Sequence, residues 1–170
     1  MRVDEVAIGE FLHTSYPRLV AAVALTSGSR PAAEDAVQEA LLRAWERSEK
    51  GDEIDSLEAW VTTVALNLAR SGLRRLRSER RARSRLARSA VAEPPAADRI
   101  DVDRALAALP RRQREVAVLR YYLQLSTAEV ASALELEEGT VKSTLFRARA
   151  ALARSLGIDE NEEANDRGPR

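Results

Sequence analysis

The stretch STAEVASALELEEGTVKSTLFRAR, residues 126–149, restricts the fold more than any other part of the chain. Ser126 followed three residues later by Glu129 is a capping box, in which hydroxyl and carboxylate each satisfy a free backbone N–H, so a helix begins there. Val130, Ala131 and Leu134 line one face of it. The polar run 135–138 interrupts that rhythm. From Gly139 onward Val141, Leu145, Ala148 and Leu152 recur at spacings of four, three and four, the signature of a second helix. Two short helices joined by a tight turn form a helix-turn-helix unit.

Turning each residue by about 100° along the second helix sets Ser143, Phe146, Arg147 and Ala150 opposite the apolar stripe, with Thr140 and Lys142 on its flanks. This face is basic and carries an aromatic ring. In a DNA major groove a ring packs on a thymine methyl while arginine bonds guanine, so duplex DNA is the ligand that matches. A solvated surface helix with one stray aromatic would carry the same pattern.

The remainder is consistent with an all-helical protein: 170 residues, 4% aromatic, seven glycines, and an abundance of Ala, Leu, Arg and Glu. That length allows one domain or two small ones. There is no cysteine, hence no disulfide and no thiolate metal site. His13, the only histidine, has no partner ligands and reads as a packing or surface residue. No cofactor or metal is expected. No apolar run approaches the roughly 20 residues that span a bilayer, and the N-terminus lacks a secretory signal, so a cytosolic protein without membrane insertion is expected.

A net charge of zero hides a strong partition. Residues 1–66 carry 6 basic and 12 acidic side chains, net −6, whereas residues 67–92 carry 9 basic and 1 acidic, net +8. Residues 93–155 are close to balanced at +1, and 156–170 are acidic at −3. Positive charge concentrated in this way can meet nucleic acid despite overall neutrality, although arginine-rich helices are also simply solvated.

From the N-terminus, Phe11, Leu12, Tyr16, Leu19, Val20 and Val23 indicate an amphipathic helix over about 5–26, with Pro17 as a point of kinking or of late initiation. Residues 26–30 form a turn, and Pro31 suits the first position of the next helix, about 31–48, with Ala33, Val37, Leu41, Ala44 and Trp45 on its apolar side. The same helix carries Glu34, Asp35, Gln38 and Glu39. No nucleophile, histidine or phosphate loop accompanies these carboxylates, so they form a solvated face or a docking surface for a basic partner, with no catalytic role. The polar segment 48–56 is a loop, and Asp55 or Ser56 caps a third helix with Leu57, Val61, Val64, Ala65 and Leu68 on its apolar stripe. Opposite fall Trp60, Thr63, Asn67, Arg70 and Arg74, spaced three, four, three and four. A ring, an amide and cations in line suit single-stranded nucleic acid, since each base offers a π face and each phosphate a charge. Burial of the tryptophan against a neighbouring helix is the alternative.

The basic run extends through Arg83, Arg85 and Arg88 to the segment AVAEPPAAD, whose paired prolines mark a semi-extended linker over 78–100. Asp101 opens a short helix to Leu109, and Pro110 starts another that carries Val116, Leu119, Tyr122 and Leu123. The tail from 157 is polar, acidic and expected to be disordered.

Together AEDAVQEALLRAW, SLEAWVTTVALNLARSGLRR, a linker and LPRRQREVAVLRYYLQLSTAEVASALELEEGTVKSTLFRARAAL resemble, over about residues 8–155 and in the same order, a bacterial RNA polymerase sigma factor of the extracytoplasmic-function group. The resemblance implies an all-α fold of two small helical domains joined by a flexible linker. Region 2, residues 1–77, would be a three- or four-helix bundle, and region 4, residues 101–156, a helix-turn-helix domain. It further implies that Asp35, Gln38 and Glu39 dock on core RNA polymerase and that Trp60, Thr63 and Asn67 open and hold the −10 promoter strand near loop 48–56. Arg70, Arg74, Arg75 and Arg77 would meet adjoining DNA backbone. Thr140, Lys142, Ser143, Phe146, Arg147 and Arg149 would read the −35 element, and an anti-sigma partner is expected by analogy. Four positions depart from the family pattern. Glu135 replaces a turn glycine, Glu137 a capping serine, Thr144 an arginine and Ser71 an aspartate. The expected activity is binding without bond chemistry. The alternatives are a stand-alone helix-turn-helix regulator with an N-terminal interaction domain, and a helical adaptor that binds no DNA.

Overall fold

The computed structural model describes residues 2–84 and 100–157, and the side chains of 73–84, 100 and 101 lie outside the description. Residues 85–99 of the central linker and 158–170 of the acidic tail therefore lie outside the described residues. Helices α1 (Glu5–Thr14), α2 (Tyr16–Ser27), α3 (Arg30–Glu49) and α4 (Leu57–Ser84) build the N-terminal half. The C-terminal half contains α5 (Ile100–Ala108), α6 (Arg111–Ala117) with a π turn (Val118–Tyr122) at its end, α7 (Thr127–Leu134) and α8 (Glu138–Leu156). No strand occurs among the described residues.

Local chemistry explains most boundaries. The single helix expected over 5–26 is two helices broken at Ser15, because Pro17 has no N–H to continue the ladder and instead occupies the first turn of α2. Gly28, at φ 77°, ends α2 in the left-handed region, which costs glycine nothing. Pro31 lies in the first turn of α3, where Ser29 Oγ accepts from Ala32 N–H at 3.4 Å. Of the two residues considered for capping α4, Ser56 does so, its Oγ accepting from Ala59 N–H at 3.3 Å. The intervening loop starts at Lys50, two residues later than expected, and buried Ile54 anchors it. Helix α4 continues to Ser84, past the linker boundary set at residue 78, since 78–84 contains no proline or glycine to stop it.

Two other expectations change. Tyr122, grouped in sequence with Val116, Leu119 and Leu123, does not share their burial and is 42% exposed, because the π turn widens the helix and shifts the register that a constant 100° step assumes. The α4 stripe is broader than expected. Leu57, Val61 and Ala65 are buried, Val64 and Leu68 only half-buried, and Thr62, Leu66 and Ala69 are buried in addition. The cause is that α4 is covered by α2 and α3 of its own half and, in addition, by α7 of the other.

That second cover joins the halves. One apolar cluster contains Val20, Val37, Val61 and Leu66 together with Val116, Leu119, Val130, Leu134 and Val141. Fully burying a side chain of this size contributes about 1.5–3 kcal/mol, so the shared core contributes substantially to stability. A smaller cluster of Leu109, Ala117 and Ala148 fixes α5 and α6 against α8.

Candidate nucleic-acid interface

The helix-turn-helix is α7, a turn and α8. Ser126 Oγ accepts from Glu129 N–H at 3.2 Å and Glu129 Oε2 accepts from Ser126 N–H at 2.7 Å, completing the capping box. The hydrogen bonds from the Ser126 side chain and backbone hold the Glu129 carboxyl below its ordinary pKa of 4.5. Glu135 takes the left-handed conformation, φ 53° and ψ 53°, that the turn demands, and Leu136 N–H returns to Ala131 O at 2.9 Å. Glu137 stands at the N-cap of α8 and makes no side-chain cap bond.

Helix α8 then divides as its periodicity requires. Val141 and Ala148 are fully buried and Leu145 and Leu152 half-buried, while Thr140, Lys142, Ser143, Phe146, Arg147 and Arg149 are all exposed. Phe146 keeps 75% of its surface in solvent, an unusual position for a ring with packing available on the other side of the helix. Thr144 is buried, on the packed side, so the arginine missing there removes nothing from the outward face.

On α4 the second set is less open. Trp60 is half-buried and packs against the core, between the two placements its sequence pattern allows, with only part of its surface free. Thr63 donates to Ala59 O at 3.0 Å. Asn67 Oδ1 accepts from Arg70 Nη1 at 3.0 Å, and Arg70 turns toward Glu115 of α6, with Nε–Oε1 at 3.1 Å and Nη2–Oε2 at 3.2 Å. The side chains of Arg74, Arg75 and Arg77 lie outside the description.

The acidic set occupies one face of α3. Asp35 is exposed, Gln38 donates to Tyr16 Oη at 3.3 Å, and Glu39 accepts from Arg43 at 2.7 Å. Leu42, 52% exposed, completes an i, i+3, i+4, i+7 row with them. Sequence reading missed it, although Leu42 stands off the Ala33–Val37–Leu41–Ala44 stripe and was available to a partner on that ground. His13 is exposed in the last turn of α1. No helix among the described residues is long and apolar enough to cross a membrane.

An outward basic-aromatic helix in a helix-turn-helix, joined to a four-helix half that carries an acidic face, has the architecture of the helix-turn-helix class of DNA-binding proteins. Family models place it more narrowly, Sigma-70 region 2 matching residues 12–88 and Sigma-70 region 4 matching 99–152. The ECF RNA polymerase sigma factor SigL of Mycobacterium tuberculosis is 38% identical over 137 residues, covering 76% of this chain and 77% of the relative. The RNA polymerase sigma-E factor of Streptomyces coelicolor is 36% identical over 126 residues, covering 73% and 71%. Among solved structures, the sigma factor RpoE in complex with the anti-sigma factor NepR from Bartonella quintana superposes with a TM-score of 0.77 at 30% identity, over 92% of this chain and 99% of that one. CnrH in complex with the cytosolic domain of CnrY does so with a TM-score of 0.66 at 26% identity, over 92% and 91%. The chain belongs to the extracytoplasmic-function group of sigma-70 RNA polymerase sigma factors.

Proposed function

We propose that this chain binds core RNA polymerase through the α3 face of Asp35, Gln38, Glu39 and Leu42, and directs promoter-specific initiation by reading two elements. Helix α8 enters the −35 major groove with Thr140, Lys142, Ser143, Phe146, Arg147 and Arg149. The α4 set of Trp60, Thr63, Asn67, Arg70 and Arg74 holds the unpaired −10 strand. Residues 1–77 and 101–156 serve as the two reading domains, with the intervening chain limiting their separation so that two modest affinities act as one. The work is done by binding energy, in the cytoplasm where polymerase acts, and an anti-sigma factor is the expected regulator, as in the complex of the Bartonella quintana sigma factor with NepR.

The observation that carries this reading is Phe146, 75% exposed in line with Arg147 on an otherwise well-packed helix. Run-off transcription with purified core polymerase tests it. Initiation at a defined promoter that requires this chain is the expected result. Duplex binding as a dimer with no effect of core would instead indicate a stand-alone regulator, and no DNA binding under either condition an adaptor. Affinity for promoter DNA should also fall steeply with salt, as phosphate neutralisation requires.

A further inference from the structure

The polar part of the seam between the halves is built around one carboxylate. Glu115 is only 3% exposed and accepts from Arg111 Nε at 2.8 Å and Arg112 Nη1 at 3.3 Å, both on its own helix, as well as from Arg70 across the seam. The Arg70 side chain retains 16% of its exposure and engages Glu115 with two nitrogens, the bidentate geometry of a strong, partly desolvated pair. A cleft of about 600 Å³ opens beside them, lined also by Asn67, Ser71 and Glu135. Arg18 makes a second polar bridge, donating to Tyr122 O at 2.7 and 3.2 Å.

What happens on opening is decided by the partners left behind. Breaking a buried ion pair is costly when it strands a charge. Here Glu115 would keep Arg111 and Arg112, and Arg70 would keep Asn67, so neither is stranded. Phosphate offers guanidinium the same bidentate acceptors as carboxylate and can take its place.

The geometry points to Glu115 as an internal latch. It occupies Arg70 beside Asn67, holding a closed form in which part of the −10 face is masked until the phosphate backbone of the promoter strand displaces the carboxylate. This rests on the assignment of Asn67 and Arg70 to the −10 strand.

The absence of cysteine makes the test direct. In the full chain, E46C and S132C place spin labels at exposed sites on α3 and α7, and double electron–electron resonance measures their separation. Glu115→Gln should shift population to longer distances and tighten binding of a fluorescein-labelled, mixed-sequence 15-nucleotide single strand about tenfold, roughly 1.4 kcal/mol. Glu135→Gln removes the same charge from the same cleft without touching the latch and should change binding less than about twofold. Arg18→Met should lengthen the distances in the same sense, which keeps the test available if Glu115→Gln does not fold. Unchanged distances in both seam variants overturn the latch. So does a longer distance with unaltered strand affinity, or an equal gain from Glu135→Gln. No strand binding by any variant strikes the −10 assignment and the masking with it, whereas strand binding that ignores Glu115 strikes the latch alone.

Discussion

At the scale of the residue, Glu135 and Glu129 show what single backbone and side-chain choices contribute to the helix-turn-helix. Glu135 holds φ 53°, where a Cβ costs about 1 kcal/mol that glycine does not incur. Glu135→Gly should therefore stabilise the protein by about 1 kcal/mol, seen as a rise of about 2–4 °C in Tm, and a fall would mean that its side chain offsets the strain. Glu129 works in the other direction. Its carboxylate is favoured in the folded state by the Ser126 hydrogen bonds, so its folded pKa lies below the unfolded one. That contribution is complete above the ordinary carboxylate pKa and is lost as pH falls through the lowered value. Glu129→Gln should accordingly lower Tm slightly at neutral pH, and the gap from the parent should close in acid. Thermal melts of both proteins between about pH 7 and pH 3 check this. The capping box was legible in the sequence because its signature is local. The strain at 135 could be suspected only because a glycine was expected there.

At the scale of the element, what periodicity could and could not reveal has a physical cause in each case. The division of α8 was legible because one face of the helix is packed and the other free, so a constant angular step describes it. The π turn was not, since that same constant step fails where five residues share a widened turn. Exposure and burial of Trp60 stayed equally open because a stripe identifies a polar side without revealing which neighbouring element rises beside it. Helix α8 also carries a conflict at its start. Its exposed N-terminus, a natural partner for DNA phosphate, is surrounded by Glu135, Glu137 and Glu138. These acids favour the helix dipole but repel a phosphate backbone. Glu137→Ser supplies the missing cap and removes one repulsive charge, so it should stabilise the protein by about 0.5–1 kcal/mol and tighten −35 duplex binding a few-fold. Denaturant unfolding and a duplex titration at fixed salt measure the two effects. Tighter unfolding without tighter binding would mean that the α8 N-terminus does not approach the backbone.

At the scale of the whole molecule, the halves share a core that the sequence did not disclose. Val116, Leu119 and Val130 read equally well as the interior of an independent C-terminal bundle, because periodicity marks an apolar face without naming the surface that covers it. Glu115 gave no signal either, being one carboxylate among several on basic helices. Their joint consequence is an asymmetry between the two proposed reading surfaces. In the closed form Asn67 and Arg70 are engaged at the seam, while Phe146 and Arg147 remain exposed. The −35 face should therefore bind duplex without any rearrangement, whereas the −10 face should bind strand only at the expense of the seam. With a duplex carrying a −35 element mapped from transcripts that require this chain, Glu115→Gln should alter affinity less than about twofold, since the site lies on the opposite side of α8 from the packed residues. Phe146→Ala should do the reverse. A side chain this exposed changes stability by less than about 0.5 kcal/mol, yet its loss should weaken duplex binding and leave strand binding intact. Arg147→Ala should cost about 1–3 kcal/mol of discrimination at one −35 position. If the two surfaces are independent, Glu115→Gln and Phe146→Ala combined should give additive changes in both assays. Coupling well beyond about 0.5 kcal/mol would mean that opening the seam also reshapes α8, and that the closed form restrains both readers together.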